Sequence, residues 1–330
     1  MGEQISRCYR VVATEDGVRG GFAEVPVEQI GTGGVLIRAR YSSINYKDAL
    51  AATGRAPILR NLPQNAGIDV IGVVEESDHP DVPVGSRALV TAYGLGEDVD
   101  GGYSQWVRVP SEWVVRPPEA LTDIETMALG TAGLTSALAI ARLEQAGLRP
   151  GRGPVAVTGA SGGTGSLAVA MLARLGYEVT AFSGKDTARE MLLACGATTV
   201  EGRPPVAEQT RPLESARWAG ALDSVGGETL GWLIRTLQRD ASVATFGNAG
   251  GNEFASSVMP FILRAVNVLG VNTGYFDERL RRELWQRMST DMRPNSLEAL
   301  TRVVPFGDVE HWFEKFLAGQ VTGRIVVEID

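Results

Sequence analysis

The sequence predicts an α/β protein in which a doubly wound parallel sheet is inserted into a barrel-like β domain. Short apolar strands alternate with helix-length segments over residues 123–271, whereas residues 1–122 contain short strands separated by glycine and proline turns. The last apolar segment follows a helix and cannot easily extend a parallel sheet. We therefore expect residues 272–330 to return to the first domain and complete it.

The strands of the first domain are predicted from apolar runs rich in branched residues. These runs are Val35–Arg40, Ile68–Val74, Arg87–Ala92, Tyr103–Val109, Trp113–Val115 and, at the end of the chain, Ile325–Ile329. Apolar residues at helical spacing predict three further helices before that last strand. These helices are Glu278–Met288, Leu297–Val303 and Asp308–Leu317.

The inserted domain begins with a helical pattern from Asp123 to Glu144, interrupted by a glycine break at Gly130–Gly133. Short strands follow, separated by segments long enough for helices, which predicts a parallel, doubly wound sheet. The strands are Val155–Thr158, Glu178–Phe182, Thr198–Glu201, Ala221–Ser224, Ser242–Phe246 and Val266–Gly270. Two of the intervening helices are predicted over Gly165–Leu175 and Thr187–Cys195.

Composition and charge exclude several classes of function. The 330 residues carry a formal net charge of −8 and no basic run, so neither nucleic acid nor an anionic membrane is expected as a partner. Cys8 and Cys195 form no disulfide framework and are expected to be free thiols in a reducing cytoplasm. No signal peptide and no stretch of about 18 uncharged apolar residues is visible, so we expect a cytoplasmic protein without a membrane span.

The segment Val155–Leu172 combines a buried strand, a glycine-rich turn and a helix. Its residues 160–165 read Ala-Ser-Gly-Gly-Thr-Gly, close to a dinucleotide-binding fingerprint but with alanine in place of the first glycine. Glycine lets the backbone approach a pyrophosphate, and the helix N-terminus offers unpaired N–H groups to it. We expect Gly159 to supply the turn flexibility that Ala160 lacks. A purely structural glycine turn is the alternative.

The end of the second predicted strand favours NADP(H) over NAD(H). NAD-specific proteins of this type usually place a carboxylate there for the ribose 2′-hydroxyl. Here the strand Glu178–Phe182 is followed by Ser183-Gly184-Lys185. Ser183 can donate a hydrogen bond to a 2′-phosphate and Lys185 can neutralise its charge. Asp186 is interpreted as the N-cap of the next helix.

Several longer motifs, spread over essentially the whole chain, are typical of one known family. They are Ser42–Leu50, Arg60-Asn61, Gly67–Asp69, Gly130–Gly133, Gly159–Gly165, Ser183–Lys185, Trp218–Ala221, Val258–Arg264 and Gly323-Arg324. In these motifs the chain resembles the acrylyl-CoA reductase branch of the zinc-free, quinone oxidoreductase-like medium-chain dehydrogenase/reductases.

The resemblance implies a GroES-like catalytic domain, residues 1–122 and 272–330, with a Rossmann NADP-binding domain, residues 123–271, between its halves. It implies NADPH-dependent reduction of the C=C bond of an α,β-unsaturated acyl-CoA, such as acrylyl-CoA to propionyl-CoA. Hydride would add to the β-carbon, and the resulting enolate would then be protonated. Members often form homodimers, and the strand edge at Val266–Val271 is a candidate interface.

The resemblance also implies a set of cofactor contacts. They are Tyr46, Ser161, Gly162, Gly163, Thr164, Ser183, Gly184, Lys185, Arg203, Asn248, Ile262 and Thr273. Arg203 follows the third strand, where it either reaches the 2′-phosphate or is a solvated loop arginine. Asn248 replaces an apolar residue of the family, so a backbone contact is expected there. Lys185 replaces an arginine, which turns a bidentate fork into a point charge.

No catalytic metal is expected. Zinc-dependent relatives carry Gly-His-Glu where this chain has Gly67-Ile68-Asp69, and the two histidines, His79 and His311, are far apart in sequence. Tyr46 is the candidate catalytic side chain. It either donates the proton to the substrate or only packs beside the cofactor.

Two other functions fit the same motifs. The first is an NADPH-dependent quinone or enone oxidoreductase, and the second is a non-catalytic NADPH-binding protein. An acyl-CoA substrate would need basic partners for its phosphates. The candidates are Arg55, Arg60, Arg264, Arg302 and Arg324.

Overall fold

The computed structural model of the chain describes residues 4–15, 17–206 and 211–329. The strands are β1 (Ile5–Thr14), β2 (Gly17–Pro26), β3 (Val35–Ile44), β4 (Gln64–Asn65), β5 (Asp69–Ser77), β6 (Arg87–Thr91), β7 (Trp106–Val109), β8 (Val155–Val157), β9 (Val179–Phe182), β10 (Thr199–Glu201), β11 (Trp218–Asp223), β12 (Leu237–Thr245), β13 (Asn267–Gly270), β14 (Thr301–Pro305) and β15 (Arg324–Glu328). The helices are α1 (Tyr46–Ala52), α2 (Asp123–Gln145), α3 (Gly163–Arg174), α4 (Arg189–Ala194), α5 (Gly227–Thr236), α6 (Met259–Arg264), α7 (Glu278–Ser289) and α8 (Val309–Leu317).

The chain divides into two compact units. The first unit comprises residues 1–131 and 301–330, and the second comprises residues 132–300. The division therefore falls later in the chain than the boundaries expected after residues 122 and 271. Helix α7 belongs to the second unit because Arg287 forms an ion pair with Glu144 at 2.7 Å and the buried Arg281 donates to the Thr273 carbonyl at 2.9 Å.

The first unit contains two sheets. One has the strand order β2-β1-β4, and the other has β14-β15-β3-β5-β6, with β7 also paired to β3. The terminal strand β15 pairs antiparallel with β3, with Ile325 opposite Ile44, so the end of the chain does return to the β-rich unit. Fully buried apolar side chains such as Val35, Val90 and Phe306 form the core of this unit.

The helix expected over Leu297–Val303 is wrong. Residues 297–300 form turns, and residues 301–305 form β14, which pairs parallel with β15 so that Val304 lies opposite Val327. A short run with few apolar residues fits either periodicity, and here pairing with a buried strand decides it. The hairpin of β1 and β2 was not predicted because charged and glycine residues interrupt its apolar pattern.

The second unit contains a fully parallel sheet with the strand order β10-β9-β8-β11-β12-β13. This is the order of a doubly wound dinucleotide-binding sheet, in which ligands bind beyond the carboxyl ends of the strands where the order reverses. The reversal lies between β8 and β11. The predicted fold class is therefore confirmed, and the glycine turn after β8 lies at the expected position.

Helix α2 contains the predicted glycine break. Gly130 has φ +48° and ψ −152°, values outside the helical region, and the division between the two units falls just after it. The helix is 23 residues long and has an apolar window of mean hydropathy 1.3, of which 83% is buried. Such burial is the pattern of a core helix in a soluble protein, so its length does not indicate a membrane span.

Candidate functional site

The turn after β8 has the conformation that a phosphate cradle needs. Gly159 has φ +59°, and a side chain on it would collide with the hydroxyl group of Ser224. Glycine is therefore required at this position for two independent reasons. Gly159 supplies the flexibility that the fingerprint lacks at Ala160, whose side chain is fully buried.

Helix α3 begins directly after this turn. A Cβ atom on Gly165 would lie 2.7 Å from the Cα atom of Ala160, so this glycine is needed for the close packing of the helix against the turn. Ser136 in α2 donates a hydrogen bond to the Thr164 carbonyl at 2.8 Å and holds the first turn in place. The first N–H groups of a helix have no partner within the helix and carry partial positive charge. Glycines at 162 and 163 leave them accessible, so the turn fits a pyrophosphate.

The structure brings the two predicted serines together. The Ser183 hydroxyl group donates to the Ser161 hydroxyl at 3.0 Å and accepts from the Lys185 backbone N–H at 3.1 Å. Ser183 is buried, whereas Gly184 is exposed and Lys185 is half-buried. The end of β9 thus lies against the glycine turn.

Arg203 completes a basic group of residues at the end of β9. A Cβ atom built on Gly184 would lie 2.5 Å from the Arg203 Nε atom and 3.3 Å from its Cζ atom, so the guanidinium group lies directly over Gly184. Burial lowers the pKa of the Lys185 ammonium, which indicates a cation that an anionic ligand would stabilise. Ser183, Lys185 and Arg203 are together called the 2′-phosphate cluster, after the cofactor group that the sequence analysis expects them to bind.

The expected cap at Asp186 is wrong. Asp186 opens a short 3-10 turn, Asp186–Ala188, and α4 begins only at Arg189. Arg189 donates to the Val200 carbonyl at 2.9 Å rather than facing Asp186. Glu201, the last residue of β10, forms an ion pair with Arg217 at 3.0 Å.

The three remaining predicted contacts of the second unit lie on separate elements. Asn248 is exposed in the turn after β12, where its side chain donates to Asn252 at 2.6 Å. Ile262 lies on α6 and is 68% exposed. The Thr273 hydroxyl is 3.0 Å from the Thr135 hydroxyl. Among the residues that the structure describes, none of the three shares a hydrogen bond with the 2′-phosphate cluster.

Asp223 is a site residue that the sequence did not reveal. Its carboxylate is fully buried at the end of β11 and accepts hydrogen bonds from the hydroxyl groups of Thr158 at 2.7 Å and Thr245 at 3.1 Å. It also accepts from the backbone N–H groups of Val225 at 3.1 Å and Gly226 at 3.0 Å. The carboxylate thus ties together the ends of β8, β11 and β12. An aspartate at the end of an apolar strand, followed by Ser-Val-Gly-Gly, was the available signal.

In the first unit, Tyr46 is the first residue of α1 and is 47% exposed. The helix begins with a capping box, in which Asp48 accepts from the Asn45 backbone N–H at 2.8 Å. The opposite face of α1 is buried and includes Asp48 itself. The sequence did not predict this helix, although it selected Tyr46 as a site residue.

A buried polar network supports the start of α1. Asp69 accepts from the hydroxyl groups of Ser43 at 2.6 Å and Thr131 at 2.6 Å, and from the side-chain amide of Asn45 at 2.9 Å. Arg324 donates to the Ser43 hydroxyl at 2.8 Å and to the Asn45 side-chain carbonyl at 3.2 Å. Ser43 and Asn45 therefore bridge a buried carboxylate and a buried guanidinium group.

Burial perturbs the charged groups of this network. Burial first, and then the neighbouring Asp69 charge, raises the pKa of the Asp48 carboxyl to about 7. Burial also raises the pKa of Tyr103 well above its usual value, so its hydroxyl stays protonated and donates to the Ser43 carbonyl at 3.0 Å. Burial lowers the pKa of Arg324, although the carboxylates oppose this effect.

The residues at the zinc position of metal-dependent relatives serve this same network. Ile68 is buried, and its backbone N–H donates to Asp48 at 3.0 Å. His79 and His311 are exposed, on a loop and on α8. Within residues 4–15, 17–206 and 211–329, no group of three or more histidine, cysteine, aspartate or glutamate side chains could hold a metal ion.

Two of the arginines considered for coenzyme A are engaged elsewhere. Arg324 is 2% exposed and belongs to the buried network, so it cannot contact a phosphate. Arg264 donates to the carbonyl groups of Arg235 at 2.9 Å and Leu237 at 3.1 Å. The three that remain exposed are Arg55, Arg60, which pairs with Asp98 at 2.9 Å, and Arg302, which lies over the Trp312 ring.

Comparison with known proteins agrees with this arrangement. The alcohol dehydrogenase GroES-like domain family matches residues 31–119, and the zinc-binding dehydrogenase family matches residues 163–290. The chain is 38% identical to acrylyl-CoA reductase AcuI from Ruegeria pomeroyi, over 98% of this chain and 99% of that protein. The chain belongs to the acrylyl-CoA reductase branch of the medium-chain dehydrogenase/reductase family.

Solved structures of this family share the fold over the whole chain. The YhdH oxidoreductase from Salmonella enterica, in complex with NADP, has a TM-score of 0.95 at 37% identity and covers 98% of this chain and 100% of its own. YhfP from Bacillus subtilis, solved with NAD bound, has a TM-score of 0.95 at 38% identity and covers 98% of this chain and 99% of its own. The family resemblance read from the sequence motifs is therefore confirmed.

Proposed function

We propose that this medium-chain reductase uses NADPH to reduce the C=C bond of an α,β-unsaturated acyl-CoA, of the acrylyl-CoA to propionyl-CoA type. The observation that supports NADPH as the cofactor is the 2′-phosphate cluster. Two cations and a serine hydroxyl lie there at the end of β9, where NAD-specific proteins place a carboxylate. The substrate class follows the similarity to acrylyl-CoA reductase AcuI, which spans the whole chain.

Different residues are assigned to different parts of the cofactor. The first N–H groups of α3 bind the pyrophosphate, and Ser183, Lys185 and Arg203 bind the 2′-phosphate. Asp223 fixes the strand ends that carry these loops. Asn248, Ile262, Thr273 and Tyr46 are the further contacts that the family resemblance assigns.

The chemistry needs no strong acid. NADPH, when bound, would supply a hydride and become NADP+, and addition of that hydride to the β-carbon of the substrate breaks the C=C π bond. The electron pair moves to the thioester oxygen and forms an enolate, which backbone or side-chain donors stabilise. A proton from water or a side chain then adds to the α-carbon and yields the saturated acyl-CoA.

We propose that Tyr46 positions the cofactor and that the proton comes from water. Among the described residues, none hydrogen-bonds to the Tyr46 hydroxyl, so no protein group is placed to return a proton to it. Tyr46→Phe should therefore keep kcat within about threefold, with Tyr41→Phe on β3 as the matched control. A loss of about a hundredfold or more in kcat would instead make Tyr46 the proton donor.

The substrate is tested by following NADPH oxidation with acrylyl-CoA and with a quinone. We expect a higher kcat/KM with acrylyl-CoA. The reverse order would favour quinone reduction, which the 40% identity to YhfP, provisionally named a quinone oxidoreductase, makes the second candidate. Tight NADPH binding without turnover of either compound would support a non-catalytic role. Equal KM values for NADPH and NADH would contradict the cofactor preference.

We also propose that the protein is a homodimer. Strand β13 ends the parallel sheet, and among the described residues its outer edge has no partner strand. The neighbouring α6 and the residue before it expose apolar side chains, with Val258 67% and Leu263 46% exposed. A second copy pairing along β13 would cover both features. Val258→Glu with Leu263→Glu should shift the molar mass in sedimentation equilibrium to that of a monomer; an unchanged mass would contradict this interface.

We further propose that the protein works in the cytoplasm. Cys8 and Cys195 are buried and free, as expected in a reducing compartment. Recovery of the protein in the cytosolic fraction after osmotic shock would agree with this location, and release with the periplasmic fraction would contradict it.

A further inference from the structure

We propose that Gly184 sets the preference for a 2′-phosphate by leaving room for the Arg203 guanidinium group. This inference rests on the proposed use of NADPH. A Cβ atom at position 184 would lie 2.5 Å from Nε, 3.2 Å from Cγ and 3.3 Å from Cζ of Arg203. Any side chain at position 184 would therefore push the guanidinium group away from the end of β9.

The backbone itself does not need glycine at this position. Gly184 is not among the glycines with positive φ, so an alanine could adopt its conformation without strain. Gly184 is also exposed, so no tight protein core surrounds it. The contact with Arg203 is the structural consequence of having no side chain here.

Arg203 is available for a ligand. Within the described residues its guanidinium group makes no hydrogen bond and no ion pair, and the residue is exposed. The strand end that precedes Arg203 is held in place, because the Ser183 backbone N–H donates to the Glu201 carbonyl at 3.1 Å and joins the ends of β9 and β10. An unengaged arginine two residues beyond a held strand end is suited to binding an anion.

The lysine at position 185 makes this arginine more important. An ammonium group is a point charge, whereas a guanidinium group binds two oxygen atoms of a phosphate in a planar fork. The cluster therefore contains one cation of each kind, and Arg203 supplies the fork. Gly184 is the residue that allows the fork to lie beside Ser183 and Lys185.

The experiment compares Gly184→Ala with Gly202→Ala. Gly202 is the matched control because it neighbours Arg203, has no positive φ and has open space where a Cβ atom would lie. Binding of NADPH, NADH and 2′,5′-ADP is measured by calorimetry on the intact protein, so the result does not depend on turnover. We expect Gly184→Ala to weaken NADPH and 2′,5′-ADP binding by about tenfold to a hundredfold, with NADH binding changed less than about twofold. Gly202→Ala should bind all three as the wild type does.

The Arg203→Ala variant and the double variant separate an effect through Arg203 from a direct clash with the ligand. If Gly184 acts through Arg203, the double variant should bind NADPH no more weakly than Arg203→Ala alone. Additive losses would overturn the proposal, because the new methyl group would then obstruct the ligand itself. Unchanged NADPH binding in Gly184→Ala would also overturn it. A wild type that binds NADH as tightly as NADPH would overturn the proposed cofactor as well, whereas a wild type that prefers NADPH leaves that proposal standing.

Discussion

The Asp223 carboxylate accepts a hydrogen bond from the Thr158 hydroxyl at 2.7 Å across the point where the strand order of the parallel sheet reverses. Thr158 immediately precedes Gly159, the left-handed residue of the phosphate cradle. The same carboxylate accepts from Thr245, three residues before Asn248. One buried carboxylate therefore fixes the starting points of two loops that we propose bind the cofactor.

Asp223→Asn should weaken both folding and cofactor binding. An amide has one acceptor oxygen and presents N–H groups where Val225 and Gly226 already donate, so buried donors lose their partner. We expect the free energy of unfolding to fall by roughly 1–3 kcal/mol and NADPH to bind more weakly. Chemical denaturation and calorimetry measure the two effects. Glu228→Gln on the exposed side of α5 is the control, and unaltered NADPH binding in Asp223→Asn would show a role in folding only.

Asp48 should make stability depend on pH. Its pKa is about 7 in the folded protein and near 4 when unfolded, so between these values the folded state holds a proton that the unfolded state has released. The free energy of unfolding therefore falls as pH rises through this window. We expect a decrease of roughly 1–4 kcal/mol from about pH 5 to pH 8.

The Asp48→Asn variant isolates this effect from other titrations. It should lose the part of the pH slope that Asp48 causes, whereas Asp81→Asn, at an exposed position, should keep it. Urea denaturation at several pH values measures both slopes. If the wild type and Asp48→Asn have parallel pH profiles, Asp48 titrates at its ordinary value.

The parts of the site that are contiguous in sequence were predictable. The glycine turn and Ser183-Gly184-Lys185 each follow a short apolar strand, so local pattern and charge placed them at the ends of neighbouring parallel strands. The contact of Arg203 with Gly184 was not fixed by sequence. It depends on how the loop after β10 lies against the end of β9.

Residues that act through distant partners were missed for the same reason. Asp223 reads as an ordinary acidic residue, because its partner Thr158 lies 65 positions away in the chain. Asp69 belongs to a motif that the sequence singled out, but its buried network was not predicted, because its partner Thr131 lies 62 positions away. The error over Leu297–Val303 has a similar origin. That segment becomes a strand only because β15 offers it a pairing edge.

Gly165→Ala should damage the cradle through packing. The added Cβ atom would lie 2.7 Å from the Ala160 Cα atom and still closer to the Gly159 carbonyl oxygen, so α3 must shift. We expect a loss of roughly 1–3 kcal/mol in the free energy of unfolding together with weaker NADPH binding. Gly162→Ala is the contrast, since its Cβ atom would lie 3.4 Å from the Gly159 carbonyl oxygen; it should lose binding but little stability. Equal stability losses in the two variants would contradict a specific role for the helix packing.

Arg324→Met should destabilise the protein because it removes a buried cation that offsets the charge of nearby buried carboxylates. The charges of Asp48 and Asp69 favour the cationic form of Arg324. The Ser43 hydroxyl links Arg324 to Asp69, and Arg324 also donates to the Ala128 carbonyl at 2.7 Å. Removing one partner of a buried charged group costs about 3–5 kcal/mol. Thermal and urea denaturation should show this loss, whereas Arg19→Met at an exposed position of β2 should change stability by less than about 0.5 kcal/mol. Adding Asp69→Asn to Arg324→Met should restore part of the stability, since the remaining charge is then smaller. If the double variant is as unstable as the sum of the two single variants, Arg324 acts by packing and backbone hydrogen bonds rather than by its charge.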